Sequence, residues 1–282
     1  MCRWNAYFGQ PLAIEELLFR TKHSLIDQSL HARQGVEATN GDGFGLGWYP
    51  EHGDGVPRRY RSVNPMWNDP NLRDLAAEIR SPLFLAHIRA TTGTPVQQTN
   101  SHPFKHGRWL FVHNGLIEDF HVIRRELLLA VEPSLFDGIH GSTDSETLFY
   151  LALTFGLEDD PLGGVERAVG FVEAVGRAHG VEHPIQMTLG LSDGERLYAV
   201  RYSSEGRSRT LYESVDGATV RALYPDNARL SHLSDEDRVV VSEPLNEELP
   251  GVWVEVPEAT ALIIQRGVDE QLPFTPAVPA AV

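Results

Sequence analysis

The chain has 282 residues and a formal charge of −15, with 24 Lys and Arg against 39 Asp and Glu. This acidic balance disfavours a general nucleic-acid binder, because such proteins need basic surface to contact phosphates. Hydrophobic residues make up 41% of the chain, enough for the core of one large domain. No stretch approaches the roughly 18 apolar residues that span a bilayer, and the first residues lack a secretory signal pattern. We therefore expect a cytoplasmic globular protein that contacts neither nucleic acid nor membrane.

The predicted elements alternate between short strands and helices along the chain. Apolar runs bounded by turn residues predict strands over 3–8, 83–88, 108–113, 208–213, 237–242, 252–256 and 259–264, and a hairpin over 185–202. Helical spacing and capping residues predict helices over 12–20, 119–130 and 161–180, one opened by Asp69-Pro70 and one opened by Thr143–Glu146. Antiparallel strands with helices in separate blocks favour an α+β layered fold over a doubly wound parallel sheet.

No repeat, low-complexity tract or flexible linker divides the sequence. We therefore predict one domain over residues 2–265, followed by a C-terminal tail over 266–282. The end of that tail is rich in Pro and Ala, so we expect it to be untethered.

The single cysteine is residue 2. A lone cysteine excludes an internal disulfide and a thiolate zinc site, so Cys2 is either a small buried hydrophobe or a reactive thiol. Removal of Met1 would give Cys2 a free α-amine beside its thiol. That amine has an ordinary pKa of about 7.7–8 and can act as a base. Cys2 is therefore a candidate N-terminal nucleophile.

The glycine-rich segment over 40–48 predicts a tight turn and then a strand in close backbone contact. A phosphate-binding loop would need a preceding strand, a following helix and a terminal Lys-Ser/Thr. None of these features is present, so we do not expect a nucleotide site.

Three other segments place polar groups at the ends of predicted elements. Arg89 could present its planar guanidinium to a carboxylate, or lie on a surface loop. Asn114 and Gly115, at the end of a predicted strand, could supply two donors to one oxyanion, or form an Asn-Gly turn. Asp144 could pair with an ammonium group of a ligand, or cap a helix.

Four of the twelve histidines lie within twenty residues of one another: His102, His106, His113 and His121. They lack the HxxxH spacing on a helix with a carboxylate partner that is typical of a metal site. We expect ordinary polar or core histidines, with no metal and no cofactor.

In this order, the segments resemble the class II glutamine amidotransferases, a family of N-terminal nucleophile (Ntn) hydrolases. The matching features are Cys2, Asn-Gly-Asp-Gly-Phe-Gly, His-Ile-Arg-Ala-Thr-Thr-Gly, Asn-Ser-His-Pro-Phe, His-Asn-Gly and Thr-Asp-Ser-Glu. The resemblance is closest to a stand-alone branch that includes the ergothioneine-pathway amidohydrolase and the glutathione-degrading amidotransferase-like subunit. Ser242–Leu245, Trp253 and Val256-Pro257 also resemble that branch. The matching motifs run from residue 2 to about 257, so the resemblance covers nearly the whole chain.

The resemblance implies a four-layer αββα sandwich and hydrolysis of a γ-glutamyl amide through a γ-glutamyl thioester. Cys2 would be the nucleophile and its α-amine the base. Asn114 and Gly115 would form the oxyanion hole.

The resemblance also implies how the substrate is held. Arg89, with Thr92 nearby, would hold the α-carboxylate of the glutamyl group, and Asp144 would hold its α-ammonium group. Free glutamine, γ-glutamyl peptides, γ-glutamyl thiol-containing metabolites and γ-glutamyl amines share this end, so several leaving groups stay open.

Two alternatives to a self-contained hydrolase also stay open. The chain could be a glutaminase subunit that delivers ammonia to a separate synthase, or that pairs with a peptidase subunit. It could instead be a non-catalytic binding member of the fold. Retention of the whole motif set argues against the second alternative.

Overall fold

The computed structural model describes residues 2–31, 33, 39–91, 93–227, 230–246 and 251–280. The strands are β1 Arg3–Ala13, β2 Phe44–Tyr49, β3 Arg58–Ser62, β4 Arg80–Ile88, β5 Phe104–His106, β6 Trp109–Ile117, β7 Ile185–Ser192, β8 Leu197–Ser203, β9 Tyr212–Ser214, β10 Arg238–Val241, β11 Trp253–Glu255, β12 Thr260–Ile264 and β13 Glu270–Pro273. The helices are α1 Glu15–Leu18, α2 Leu25–Leu30, α3 Pro70–Glu78, α4 Phe120–Leu129, α5 Pro133–Phe136, α6 Asp144–Thr154, α7 Pro161–Ala178 and α8 Gly217–Leu223. Within the described residues, no helix combines the length and the apolar character needed to cross a membrane.

The strands form two antiparallel sheets. One sheet has the order β11-β9-β10-β1-β4-β2-β3, and the other has the order β13-β12-β8-β7-β6-β5. In the first sheet, β1 lies between β10 and β4. In the second sheet, β6 pairs with β7 along its whole length. The two sheets face each other, so that β1 contacts β6, a strand that begins more than one hundred residues later in the chain.

Alternating side chains along the strands produce the layers. On β1, Trp4, Ala6 and Phe8 belong to an apolar layer between the sheets, whereas Tyr7 packs on the opposite face with residues of the helices. Trp4 Nε1 also crosses between the sheets and donates to Thr188 Oγ1 at 3.1 Å. A separate apolar cluster joins the six-stranded sheet to α4, α6 and α7. The resulting order of helices, sheet, sheet and helices confirms the predicted α+β αββα sandwich.

Predictions for two segments differ from the structure: the helix over 12–20, and the strand over 208–213, of which only Tyr212 and Glu213 lie in β9. The helix predicted over 12–20 begins too early, because β1 continues past an irregularity in its pairing and Leu12 and Ala13 pair with Ser81 and Arg80. Only Glu15–Leu18 is helical in that region. The hairpin predicted over 185–202 is confirmed as β7 and β8.

The residues after position 265 pack on the domain, and the expectation that the Pro- and Ala-rich end is untethered is wrong at Phe274 and Ala277. Strand β13 pairs with β12, and the Phe274 side chain is 2% exposed. The Phe274 ring lies 5.3 Å from the Tyr202 ring, and the backbone N–H of Ala277 donates to the carbonyl of Glu166 on α7. Composition alone missed this packing, because it depends on the open edge of β12 and on one apolar side chain.

Glycines in the segment over 40–48 allow the close backbone contact predicted there. Gly43 has a φ of 107°, a region that side chains rarely adopt. A Cβ on Gly45 would lie 2.0 Å from the carbonyl oxygen of His102. This close approach lets the loop before β5 pack against β2, near the start of β1.

Candidate active site

Five of the six predicted site residues line one pocket at an end of the two sheets: Cys2, Arg89, Asn114, Gly115 and Asp144. The sixth, Thr92, lies outside the described residues. The same pocket is also lined by Ala90, Thr91, Thr94, His102, His113, Leu116, Thr143, Ser145 and Arg209. The fold therefore brings together groups that are as far apart as residues 2 and 144.

Cys2 immediately precedes β1, where strand alternation places it on the same face as Trp4 and Ala6, between the sheets. Its Sγ accepts from the Ala90 backbone N–H at 3.4 Å and lies 3.5 Å from the Ala90 carbonyl oxygen. Burial raises the pKa of the Cys2 thiol, and the Ala90 N–H and the charge of Arg89 oppose this effect. The thiol is therefore protonated at neutral pH and needs a base to react.

Arg89 follows the last residue of β4, and its backbone N–H donates to the carbonyl of Gly43 at 2.8 Å. Its guanidinium group donates to Thr94 Oγ1 at 2.6 Å, to Thr91 Oγ1 at 3.2 Å and to the Pro95 carbonyl at 3.2 Å. The side chain is almost fully buried apart from its access to the pocket. These contacts hold a cation at the pocket wall, where it can receive a carboxylate.

Asn114 and Gly115 lie inside β6, so the prediction that they end a strand is wrong. Gly115 pairs with Met187 of β7, and a Cβ at this position would lie 2.0 Å from the Gln186 carbonyl oxygen. A glycine is therefore required for β6 to continue to Ile117. The prediction missed this because the pairing with β7 is not visible in the local sequence.

The hydrogen-bond pattern of β6 directs the Gly115 N–H away from β7. The N–H of Glu118 donates to the Pro184 carbonyl at 2.9 Å, and such bonds alternate along an antiparallel pair. The N–H groups of Gly115 and Ile117 therefore point to the other edge of β6. On that edge the Ile117 N–H donates to Asp144 Oδ2 at 2.8 Å, which places the Gly115 N–H beside the pocket.

The Asn114 side chain points into the space between the sheets, as Leu110 and Val112 do from the same face of β6. Asn114 is 3% exposed, yet its carboxamide forms no hydrogen bond with any described residue. Its two N–H donors therefore remain available to a ligand in the pocket, beside the thiol of Cys2.

Asp144 is the first residue of α6, and Thr143 rather than Asp144 caps that helix. Thr143 Oγ1 accepts from the Glu146 N–H at 3.1 Å. The Asp144 carboxylate accepts from the backbone N–H groups of Ile117 and Ser145, each at 2.8 Å. A carboxylate oxygen has more than one acceptor position, so Asp144 can still receive an ammonium group in the pocket.

Three buried histidines lie at the site, and two of them, His102 and His113, line the pocket. The rings of His87 and His102 stack with centroids 4.0 Å apart, and His113 Nδ1 lies 2.8 Å from Ser145 Oγ. His87 Nε2 donates to the His113 carbonyl at 3.1 Å. Burial lowers the pKa of all three rings, that of His87 to about 3. The three histidines are therefore neutral at physiological pH.

These histidines should make the folded protein sensitive to acid. The unfolded chain protonates them near pH 6.5, whereas the folded protein protonates His87 only near pH 3, so the free energy of unfolding decreases as the pH falls below 6.5. Each such ring contributes a slope of about 1.4 kcal/mol per pH unit. Urea unfolding at pH 7 and pH 5 should show a smaller loss for His87→Gln than for wild type. The exposed control His52→Gln should match wild type, and equal losses in all three proteins would contradict this assignment.

Sequence reasoning missed several residues around the site. Thr94 contacts Arg89, and Arg209 lines the pocket from the segment after β8. Arg3 and Glu243 form a buried ion pair behind Cys2. A charged side chain next to Cys2, in an otherwise uncharged strand, was the signal that could have identified Arg3.

The chain is similar in sequence to a family of known proteins. A model of the family described as "Glutamine amidotransferases class-II" matches residues 19–278. The probable glutamine amidotransferase DUG3 of Saccharomyces cerevisiae is 32% identical over 295 residues, which cover 94% of this chain and 82% of that protein. The gamma-glutamyl-hercynylcysteine sulfoxide hydrolase of Mycolicibacterium smegmatis is 29% identical over 261 residues, with coverages of 92% and 93%.

A solved structure supports the same assignment. The glutamine aminotransferase class-II domain protein from Silicibacter pomeroyi is 34% identical and has a TM-score of 0.74. The match covers 98% of this chain and 100% of that one. The predicted resemblance is therefore confirmed, and the chain belongs to the class II glutamine amidotransferases.

Proposed function

We propose that this protein is an amidohydrolase that cleaves the γ-amide bond of a γ-glutamyl substrate through a thioester on Cys2. The observation that carries the proposal is the composition of one pocket. It contains a thiol, an arginine and a carboxylate that can hold a zwitterion, and donors from Asn114 and Gly115. This set matches the chemistry of acyl transfer from an amino-acid side-chain amide.

Arg89 and Asp144 would hold the α-carboxylate and the α-ammonium group of the glutamyl unit. Their charges lie close enough for Asp144 to favour the charged form of Arg89. Binding both ends of the zwitterion would fix the direction of the side chain, so that its γ-carbonyl reaches the thiol. Such orientation lowers the entropic part of the barrier before any bond changes.

The α-amine of Cys2, freed by removal of Met1, would accept the thiol proton. The thiolate then attacks the γ-carbonyl carbon, while the Asn114 carboxamide and the Gly115 N–H stabilise the negative oxygen. The α-ammonium group gives its proton to the leaving amine, and the C–N bond breaks to leave the γ-glutamyl thioester. Water attacks the thioester with the amine again as base, which releases glutamate and restores the thiol.

The relatives name two uses of this chemistry. One is called a hydrolase of a gamma-glutamyl conjugate, and another a probable glutamine amidotransferase. We propose a γ-glutamyl conjugate as the substrate. The alternative is a glutaminase that passes ammonia to a separate synthase subunit. Arg209 favours the conjugate, because a cation in the pocket suits a leaving group that carries a carboxylate.

The test is the intact mass of the protein after incubation with 6-diazo-5-oxo-norleucine, a γ-glutamyl-directed electrophile. Wild type should lack Met1 and gain one adduct. Cys2→Ala should gain none, because the attacking sulfur is absent. Excess glutamate should slow the labelling of wild type by competing for Arg89 and Asp144.

Two outcomes would contradict the proposal. Equal labelling of Cys2→Ala would place the reactive group elsewhere. A wild-type chain that keeps Met1 and gains no adduct would favour a non-catalytic binding member of the fold.

A further inference from the structure

A buried ion pair lies directly behind Cys2. Arg3 Nε donates to Glu243 Oε1 at 2.6 Å, and the two side chains are 3% and 2% exposed. The same guanidinium group donates from Nη1 to the carbonyl oxygen of Cys2 at 2.9 Å. One side chain therefore connects the backbone of the proposed nucleophile to a residue 240 positions away.

Glu243 is held on its other side by the segment around α2. Its Oε2 lies 3.0 Å from His23 Nε2 and accepts from the Arg33 backbone N–H at 3.1 Å. His23 Nδ1 in turn lies 2.6 Å from Asp27 Oδ2. These contacts fix the Glu243 carboxylate independently of Arg3. The carboxylate can therefore hold the Arg3 guanidinium group, and with it the Cys2 carbonyl, in one position.

Stability alone is a weak explanation for this pair. Burying two charges costs desolvation energy, and well-packed apolar residues often stabilise a fold equally well. A chain terminus, by contrast, frays unless it is tied down. When Met1 is removed, Cys2 becomes that terminus, and Arg3 holds its carbonyl.

The pair also balances charge near the α-amine of Cys2. Arg3 and Glu243 balance each other, and the other charged groups near Cys2 are Arg89 and Asp144, with Asp42 beside Arg89 and Arg209 in the same pocket. His23 and Asp27 lie on the far side of Glu243 and are unchanged in every variant below. The buried histidines nearby are neutral. Loss of either partner would leave one uncompensated charge within several ångströms of the amine. At an effective dielectric constant near 20, this charge would shift proton binding there by about one pH unit.

We propose that Arg3 and Glu243 are positioning residues for Cys2, which clamp its backbone and keep the electric field at its α-amine balanced. This inference rests on the proposed function of Cys2. It assigns no contact with substrate to either residue. It predicts that the two partners affect the pH dependence of the reaction in opposite directions.

The experiment measures kcat/KM against pH for the processed full chain of wild type, Arg3→Gln, Glu243→Gln and the double variant. Arg3→Gln removes the cation that balances Glu243, which stabilises the ammonium form of the α-amine. The acid limb of the profile, where this amine loses its proton, should therefore move up by about one pH unit. Glu243→Gln removes the carboxylate that balances Arg3 and moves that limb down by a similar amount. The double variant should return the limb to its wild-type position, with a reduced kcat because the clamp is lost.

Two further variants separate positioning from folding. Arg3→Lys keeps the charge but lacks the planar fork that contacts both Glu243 and Cys2, so the limb should stay in place while kcat falls. Arg238→Gln removes a partly buried ion pair between β10 and Asp269, about 20 Å from Cys2 along β1, and should change neither kcat nor the limb.

The inference would be overturned if the acid limbs of Arg3→Gln and Glu243→Gln moved in the same direction. It would also be overturned if neither limb moved although the Tm of both variants was lower. The proposed function would stand in both cases. A wild-type kcat in Arg3→Lys would contradict the proposal that Arg3 positions the Cys2 backbone. A wild type that neither hydrolyses γ-glutamyl substrates nor labels at Cys2 would overturn the proposed function, and this inference with it. Should the single variants fail to fold, the double and Arg3→Lys variants carry the same decision, because both avoid an unpaired buried charge.

Discussion

Asn114→Ala is expected to lower kcat for a γ-glutamyl amide by about 10²–10³-fold, the usual cost of losing one oxyanion donor. The Asn114 carboxamide has no hydrogen-bond partner among the described residues, so its removal breaks no internal bond. The substrate would still bind through Arg89 and Asp144, and KM should change little. Steady-state kinetics with γ-glutamyl p-nitroanilide measures both constants.

Asn114→Asp sharpens this test, because it keeps the size of the side chain and replaces its donor with a negative oxygen. The loss in kcat should be at least as large as for Asn114→Ala. Asn64→Ala, an exposed asparagine in the loop after β3, serves as the control and should retain wild-type kcat. Near-normal turnover by folded Asn114→Ala would remove Asn114 from the oxyanion hole.

Asp144→Asn is expected to lower kcat/KM for the same substrate by about 100-fold, mainly through KM. A hydrogen bond between charged partners contributes about 1.5–3 kcal/mol, and the neutral amide cannot replace the ion pair with the α-ammonium group. The substitution also disturbs the bond from the Ile117 or the Ser145 N–H, so the enzyme variant alone does not identify the cause.

A second substrate resolves that ambiguity. Glutaryl p-nitroanilide lacks the α-ammonium group but keeps the carboxylate and the scissile amide. If Asp144 binds the ammonium group, Asp144→Asn should cost little with this substrate, so that the two losses are not additive. A full 100-fold loss with both substrates would show that Asp144 acts only through the structure of α6.

The site motifs were predictable because each is local. The segments around Arg89, Asn114 and Asp144 are short and lie where predicted elements meet. Apolar runs bounded by turn residues predicted the strands of a layered α+β fold for the same reason, since each run is visible in a few residues.

The long-range arrangement was not predictable in the same way. The pairing of Arg3 with Glu243 depends on β1 lying beside β10, a neighbour 230 residues later in the chain. Gly115 looked like part of a turn because its partner strand, β7, is about 70 residues away. Phe274 looked like part of a tail because its burial requires Tyr202 to be in place.

The hydrogen bond from Trp4 to Thr188 joins the two sheets that carry the site residues. Cys2 and Arg89 extend from strands of the seven-stranded sheet, whereas Asn114 and Gly115 belong to the six-stranded sheet. The proposed nucleophile and the proposed oxyanion donors therefore lie on different sheets of the sandwich, and the apolar layer between the sheets sets the distance between them. A misplacement of reacting groups by about 1 Å can lower the rate 100-fold. The thickness of the apolar layer must therefore be kept within about that distance for the groups on the two sheets to act together. A volume change deep in the layer would alter turnover before it unfolds either sheet.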